Sequence, residues 1–160
     1  MGTSPMTDDQ IQALLDLPKR VSNPGARMKT QRGSDATNYD VAGEDGSVFR
    51  LYKRQNNRIP NGFSCGLLYL PEGGEPVTLT RYNGADHIHS NPLDADVSEI
   101  AGCHIHRATH RYIVAGRKPD HYAELTDRYA DLAGALRALL FDCKITGLES
   151  PPDTPQIQLL

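Results

Sequence analysis

The sequence has no tryptophan, three phenylalanines and seven tyrosines, so aliphatic side chains must fill most of its core. Cysteine is scarce too. Cys65, Cys103 and Cys143 are odd in number, widely spaced and form no CxxC pair, which argues against a disulfide framework. No apolar run approaches the length of a bilayer span, and residues 1–10 carry no basic-then-apolar signal pattern. A cytoplasmic protein without a membrane segment is the simplest expectation. Acids are absent from two stretches. Residues 19–34 hold Lys19, Arg20, Arg27, Lys29 and Arg32, and residues 47–71 hold Arg50, Lys53, Arg54 and Arg58. The net charge of −3 hides this asymmetry. Such stretches suit a phosphate backbone or an acidic partner, or else form a solvated loop and the outer face of a strand.

What is present reads as one domain over residues 1–149, followed by a tail over 150–160 that holds Pro151, Pro152 and Pro155. Thr7-Asp8-Asp9-Gln10 is a capping box, and Ile11, Leu14 and Leu15 form the apolar stripe of a short helix that Pro18 ends. Residues 19–36 read as a long basic loop. Alternation around Tyr39 and Val41, and then through Phe49, Leu51 and Lys53, predicts strands joined at Glu44-Asp45-Gly46. Residues 63–70 and 77–82 complete a meander, and residues 103–115 predict a fifth strand. Lys118-Pro119-Asp120 then opens a long helix lined by Leu125, Tyr129, Leu132, Leu136 and Leu139. The expected fold is α+β: an antiparallel sheet of about five strands, a short N-terminal helix and a long C-terminal helix packed on the sheet.

Five of the six histidines lie between His87 and His110, as His87-Ile88-His89, His104-Ile105-His106 and His110. On a strand, alternate side chains share a face, so each His-Ile-His triplet sets two imidazoles side by side. Histidine titrates near neutrality and is also the commonest metal ligand. Two chemistries follow. Cleavage of RNA needs a base for the 2′-OH, an acid for the leaving 5′-oxygen and cations on the phosphate. His87, His89, His104 and His106 would supply acid and base, Arg81 and Arg111 the phosphate clamp, and Tyr82 and Tyr112 a proton or a stacking ring. Lys19, Arg20, Arg27, Lys29, Arg32 and Arg107 would follow the RNA backbone. Alternatively, His87, His89, His104, His106 and His110, with Asp86, would ligate Zn²⁺ or Fe²⁺. No HExxH or HxE…CxxC signature supports a zinc enzyme, and the cupin-type pattern fits poorly for want of a glutamate after HxH. Purely structural histidines, or a non-enzymatic protein docking an acidic partner through its basic face, complete the alternatives. Cys103 touches this segment and is a candidate by position. His121 reads as a surface helix residue. An echo of Arg81-Tyr82 in Arg111-Tyr112 places both dipeptides at strands beside histidines.

The string Arg81-Tyr82-Asn83-Gly84 … His87-Ile88-His89-Ser90-Asn91 … Cys103-His104-Ile105-His106-Arg107-Ala108-Thr109 … Arg111-Tyr112 resembles a small, poorly characterised family of bacterial proteins over roughly residues 7–147. Its layout is loosely similar to TumE-type toxins of toxin–antitoxin modules, with different histidine spacing. What that resemblance implies is a toxin-type endoribonuclease, or another nucleic-acid-modifying toxin, with a cognate antitoxin as partner. The residues and the resemblance together favour a metal-independent endoribonuclease without a cofactor, acting on RNA.

Overall fold

The computed structural model describes residues 5–86, 88–89, 93 and 100–148. The first helix is as expected. In α1 (Asp8–Asp16) the Gln10 N–H donates to Thr7 Oγ1 (3.1 Å) and the Thr7 N–H to Gln10 Oε1 (2.9 Å), closing the capping box. Ile11 and Leu15 turn into the core. Residues 19–36 are not one loop. They hold β1 (Lys19–Val21), β2 (Lys29–Gln31) and the start of β3 (Ser34–Gly43). The expected meander continues through β4 (Val48–Asn56), β5 (Phe63–Tyr69) and β6 (Val77–Asn83), each antiparallel to its predecessor.

Beyond β6 the chain forms a two-stranded ribbon of β7 (Ile88–His89) and β8 (Ile100–Ala101). It then returns to β6 as β9 (His104–Arg107), turns through α2 (His110–Val114), and adds β10 (Ala123–Leu125), α3 (Leu132–Asp142) and β11 (Ile145–Thr146). The main sheet runs β10-β9-β6-β5-β4-β3-β1-β11, with β2 also on β3. Among the described residues only β11 joins parallel, on β1, and that makes the sheet mixed.

The expected five-strand α+β fold with a long C-terminal helix is therefore incorrect. The described residues are mostly sheet: nine strands in one mixed sheet, with short helices. Strands of two or three residues at both edges account for the difference. The predicted helix also starts too early. Residues 123–125 pair with β9 instead, Leu125 is exposed, and the helix begins only after its real N-cap, Asp131, whose Oδ1 accepts from the Gly134 N–H (2.8 Å). The segment read as a fifth strand is strand only at its start. Thr109 caps α2, so Arg111-Tyr112 sits on a helix.

One face of the sheet carries the core. Tyr39, Val41, Phe49, Leu51, Cys65, Leu67 and Tyr82 pack there against Ile11 and Leu15 of α1 and Leu136 and Leu139 of α3. The other face is polar and faces away from these helices.

Gly84 ends β6, where its N–H donates to the Phe63 carbonyl (2.9 Å). A Cβ there would lie inside the van der Waals shells of the Asn61 carbonyl oxygen and the Phe63 ring. Gly84→Ala is expected to cost about 1–3 kcal/mol through forced backbone displacement. Gly25→Ala, with nothing within 4 Å of the added carbon, serves as the control. Urea midpoints measure both, and equal midpoints would contradict the close approach.

Candidate functional site

Strand register assembles the polar face. In antiparallel sheets directly opposed residues point the same way. One row across the strands is Ala36, Arg54, Ser64, Asn83, His104 and Leu125. The adjacent row is Asn38, Tyr52, Gly66, Arg81, His106 and Ala123. The alternation that puts His104 and His106 on one face of β9 thus sets them beside Asn83 and Arg81 of β6. Gly66 completes the second row because Tyr52 lies across it: a Cβ on Gly66 would meet the Tyr52 ring at 2.6 Å.

The two imidazoles are neighbours, with ring centroids 4.9 Å apart. Both are buried, His104 at 0% exposure and His106 at 2%. His104 Nδ1 bonds the Gly102 carbonyl (2.8 Å) and His106 Nδ1 the Asp120 carbonyl (3.0 Å). A carbonyl only accepts, so Nδ1 is the hydrogen-bearing atom in each ring, and in the neutral form the lone pair is on Nε2. From behind, the Tyr129 hydroxyl bridges the carbonyls of Asn83 (2.9 Å) and His104 (3.0 Å), locking β6 to β9 at this point.

Asp120 links the histidines to the guanidinium. Its carbonyl takes the His106 bond while its carboxylate meets Arg81 Nε at 3.1 Å. The carboxylate side chain is 8% exposed and that of Arg81 28%, so the pair is largely withdrawn from water. Arg81 then lines a cavity of about 230 Å³ with Arg54, Ser34, Ser64, Asn83 and Asp86. Asn83 Oδ1 is buried and has no hydrogen-bond partner among the described residues. Buried polar atoms are usually satisfied, and an exception marks a place where the fold has accepted a cost.

The other sequence candidates are distributed differently. Tyr82 and Arg107 point to the helix side of the sheet, where they line a separate cavity of about 590 Å³ with Thr80, Arg128, Phe141 and Lys144. There the Tyr82 hydroxyl donates to Asp142, which Arg128 holds with two bonds (2.7 and 2.8 Å). Burial alone would raise the Asp142 carboxyl, but Arg128 and Tyr82 outweigh it and hold it below the usual carboxylate range. Arg107 Nη2 donates to Gln12 of α1. Arg111 is exposed on α2 with its guanidinium 5.8 Å from the Tyr112 ring centre, and Tyr112 is fully buried and stacked on His121 (5.5 Å). His121 is thus a half-buried stacking partner in a loop, not a surface helix residue. His110 is held to the N-terminal segment, its Nδ1 on the Met6 carbonyl (2.9 Å) and its N–H on Asp8 (2.8 Å).

Of the basic stretch, Arg20, Arg27, Lys29 and Arg32 are exposed, but Lys19 is 3% exposed. Its ammonium donates to the carbonyls of Leu15, Leu17 and Cys143 (2.8–2.9 Å), capping the ends of α1 and α3. That burial removes it from any RNA-facing surface. Cys103 is half-buried and its thiol is pushed up by burial, away from reactivity. His87 lies outside the described residues, and His89 is described only as a residue of β7. No group of three or more His, Cys, Asp or Glu placed to hold a metal occurs among the described residues. No helix among them is long and apolar enough to cross a membrane.

Asp120, Asn83 and Ser64 escaped the sequence reading, and Arg54 entered it only as one cation of the acid-free stretch 47–71. Asn83 was within reach, being two residues from Arg81 on the same strand and hence on the same face. Asp120 left no local signal, because its role depends on a turn that brings it back over β6 and β9. No known protein family, curated protein or solved structure matches the chain.

Proposed function

We propose that the polar face is the active site of a metal-independent endoribonuclease. The observation that carries this reading is the register of β6 on β9. It seats two buried imidazoles of fixed tautomer beside Asn83 and Arg81, and these two residues line an open cavity together with Arg54. The cavity accepts the scissile phosphate at its Arg81 end, where the guanidinium meets its oxygens. One imidazole Nε2 takes the proton of the RNA 2′-OH as that oxygen attacks phosphorus. The bond to the 5′-oxygen breaks, a second imidazole protonates it, and a 2′,3′-cyclic phosphate remains. Rings 4.9 Å apart serve one side of a phosphate, so the reaction needs a further group on the opposite side, for which the sequence offers His87 or His89. Asp120 is a positioning residue: it orients His106 through its carbonyl and Arg81 through its carboxylate. The resemblance to TumE-type toxins supports a cytoplasmic toxin with a cognate antitoxin as partner. The test is incubation of the purified protein with an end-labelled RNA and the DNA of the same sequence. RNA is expected to be cut to products ending in a cyclic phosphate, and DNA to stay whole. Cleavage of both, or of neither, would contradict the reading.

A second reading rests on the carbonyl-held Nδ1 atoms. Metal-ligating histidines are oriented in this way, and His104 and His106 would then offer Nε2 to Zn²⁺ or Fe²⁺, with further ligands from His87 and His89. Metal analysis of protein purified without a nickel column separates the two.

A further inference from the structure

We infer that the protein has a second phosphate subsite, formed by Arg32 and Arg54, and that its substrate is an extended single strand spanning several nucleotides. The inference deepens the ribonuclease reading and rests on it for the identity of the reacting end.

A cavity of about 290 Å³ is lined by Gln31, Arg32, Ser34, Ala36 and Arg54. Ser34 and Arg54 also line the cavity at Arg81, so the two are contiguous on one face of the sheet. Arg32 is held in place by the backbone. Gln31 pairs with Ser34, leaving Arg32 and Gly33 as a two-residue hairpin turn with positive φ at both (51° and 81°). That turn type suits the twist of the flanking strands and fixes the tip, so Arg32 projects from a defined point. Three guanidiniums, Arg32, Arg54 and Arg81, meet two carboxylates, Asp86 in the lining and Asp120 paired with Arg81, and among the described residues the Arg32–Arg54 cavity itself is lined by no acid. The excess positive charge favours a polyanion.

Length follows from the register. Arg54 on β4 and His104 on β9 are three strand spacings apart in one row, about 14 Å at about 4.8 Å per strand. A phosphate seated between Arg32 and Arg54 is therefore well beyond the one being cleaved. A mononucleotide cannot reach both positions. Notches of a few hundred Å³ also have no room for a duplex, whereas a single strand threads them with its backbone against the arginines.

The test compares uridylyl-uridine, which has one phosphate, with a longer oligouridylate. Wild-type protein is expected to show a KM roughly tenfold lower for the longer RNA, the size of one charge-assisted contact. In Arg32→Ala and Arg54→Ala that advantage shrinks or disappears, and the salt dependence of binding loses about one unit of slope per cation. Equal KM values for short and long RNA, or variants that keep the full advantage, would overturn the subsite while leaving the cleavage reading intact. If the wild type cuts no RNA, fluorescence anisotropy of labelled oligouridylate decides separately. Length-dependent affinity lost in Arg32→Ala upholds the subsite without the reaction, and length-independent affinity overturns it. Tighter binding of a phosphoserine peptide than of oligouridylate would likewise overturn it.

Discussion

Replacing His106 by asparagine is expected to reduce RNA cleavage by about 10²–10⁴ with the fold retained, the range for loss of one general acid or base. Asparagine is chosen because its amide nitrogen lies near the position of Nδ1. It keeps a donor for the Asp120 carbonyl while removing Nε2. Alanine would leave a buried carbonyl without its donor and a void at a site of 2% exposure, which mixes stability with chemistry. His104→Asn, facing Gly102, is the matched partner. The loss should appear in kcat rather than KM, with thermal melting close to wild type. A variant that melts normally and cleaves at the wild-type rate would show that these imidazoles only hold the strand end together.

The largest stability effect is expected at Lys19. Lys19→Met keeps the apolar stem but removes the donor to three carbonyls at the ends of α1 and α3. Orphaned buried acceptors cost about 1–3 kcal/mol each where no water replaces the donor, so a loss of about 2–4 kcal/mol is expected in denaturant melts. A pH signature accompanies it. Burial lowers the Lys19 pKa from 10.5 to about 8, against smaller opposing effects from Cys143 and Asp16. Above pH 8 the folded protein releases this proton while the unfolded chain still holds it, up to its own value near 10.5. The unfolded state then binds more protons, so this group makes stability rise with pH across that window. Lys19→Met should be less stable at neutral pH and should lack that rise. An unchanged melting midpoint would mean that water caps the helix ends.

Local signals were legible and long-range ones were not. The capping box at Thr7 and Gln10 is a four-residue pattern, and alternation in β3 to β6 is a two-residue one, so both could be read directly. The shared face of His104 and His106 came from the same alternation. Leu125, Tyr129, Leu132, Leu136 and Leu139 fit a helical period equally well, yet Leu125 belongs to a strand. Pairing with β9 decided that segment, and no window of sequence contains its partner. Lys19 shows the same limit. It read as part of a basic loop because the acceptor on Cys143 is 124 residues away. Tyr82 and Arg107 were grouped with the histidines by proximity along the chain. Their register partners Ile105 and Thr80 put them on the other face. Asp120 reads as part of a helix opening for want of any local sign that the chain turns there.

Proton transfer by the histidine face, without a metal, is the chemistry proposed for RNA cleavage. Its most direct test is the initial rate of RNA cleavage by wild-type protein across pH, with and without excess EDTA. A bell-shaped profile near neutrality is expected, since one imidazole must be neutral while another is protonated, and the same profile in chelator. Activity abolished by EDTA and restored by Zn²⁺ or Fe²⁺, with stoichiometric metal on the protein, would contradict it and assign His104 and His106 to a metal centre.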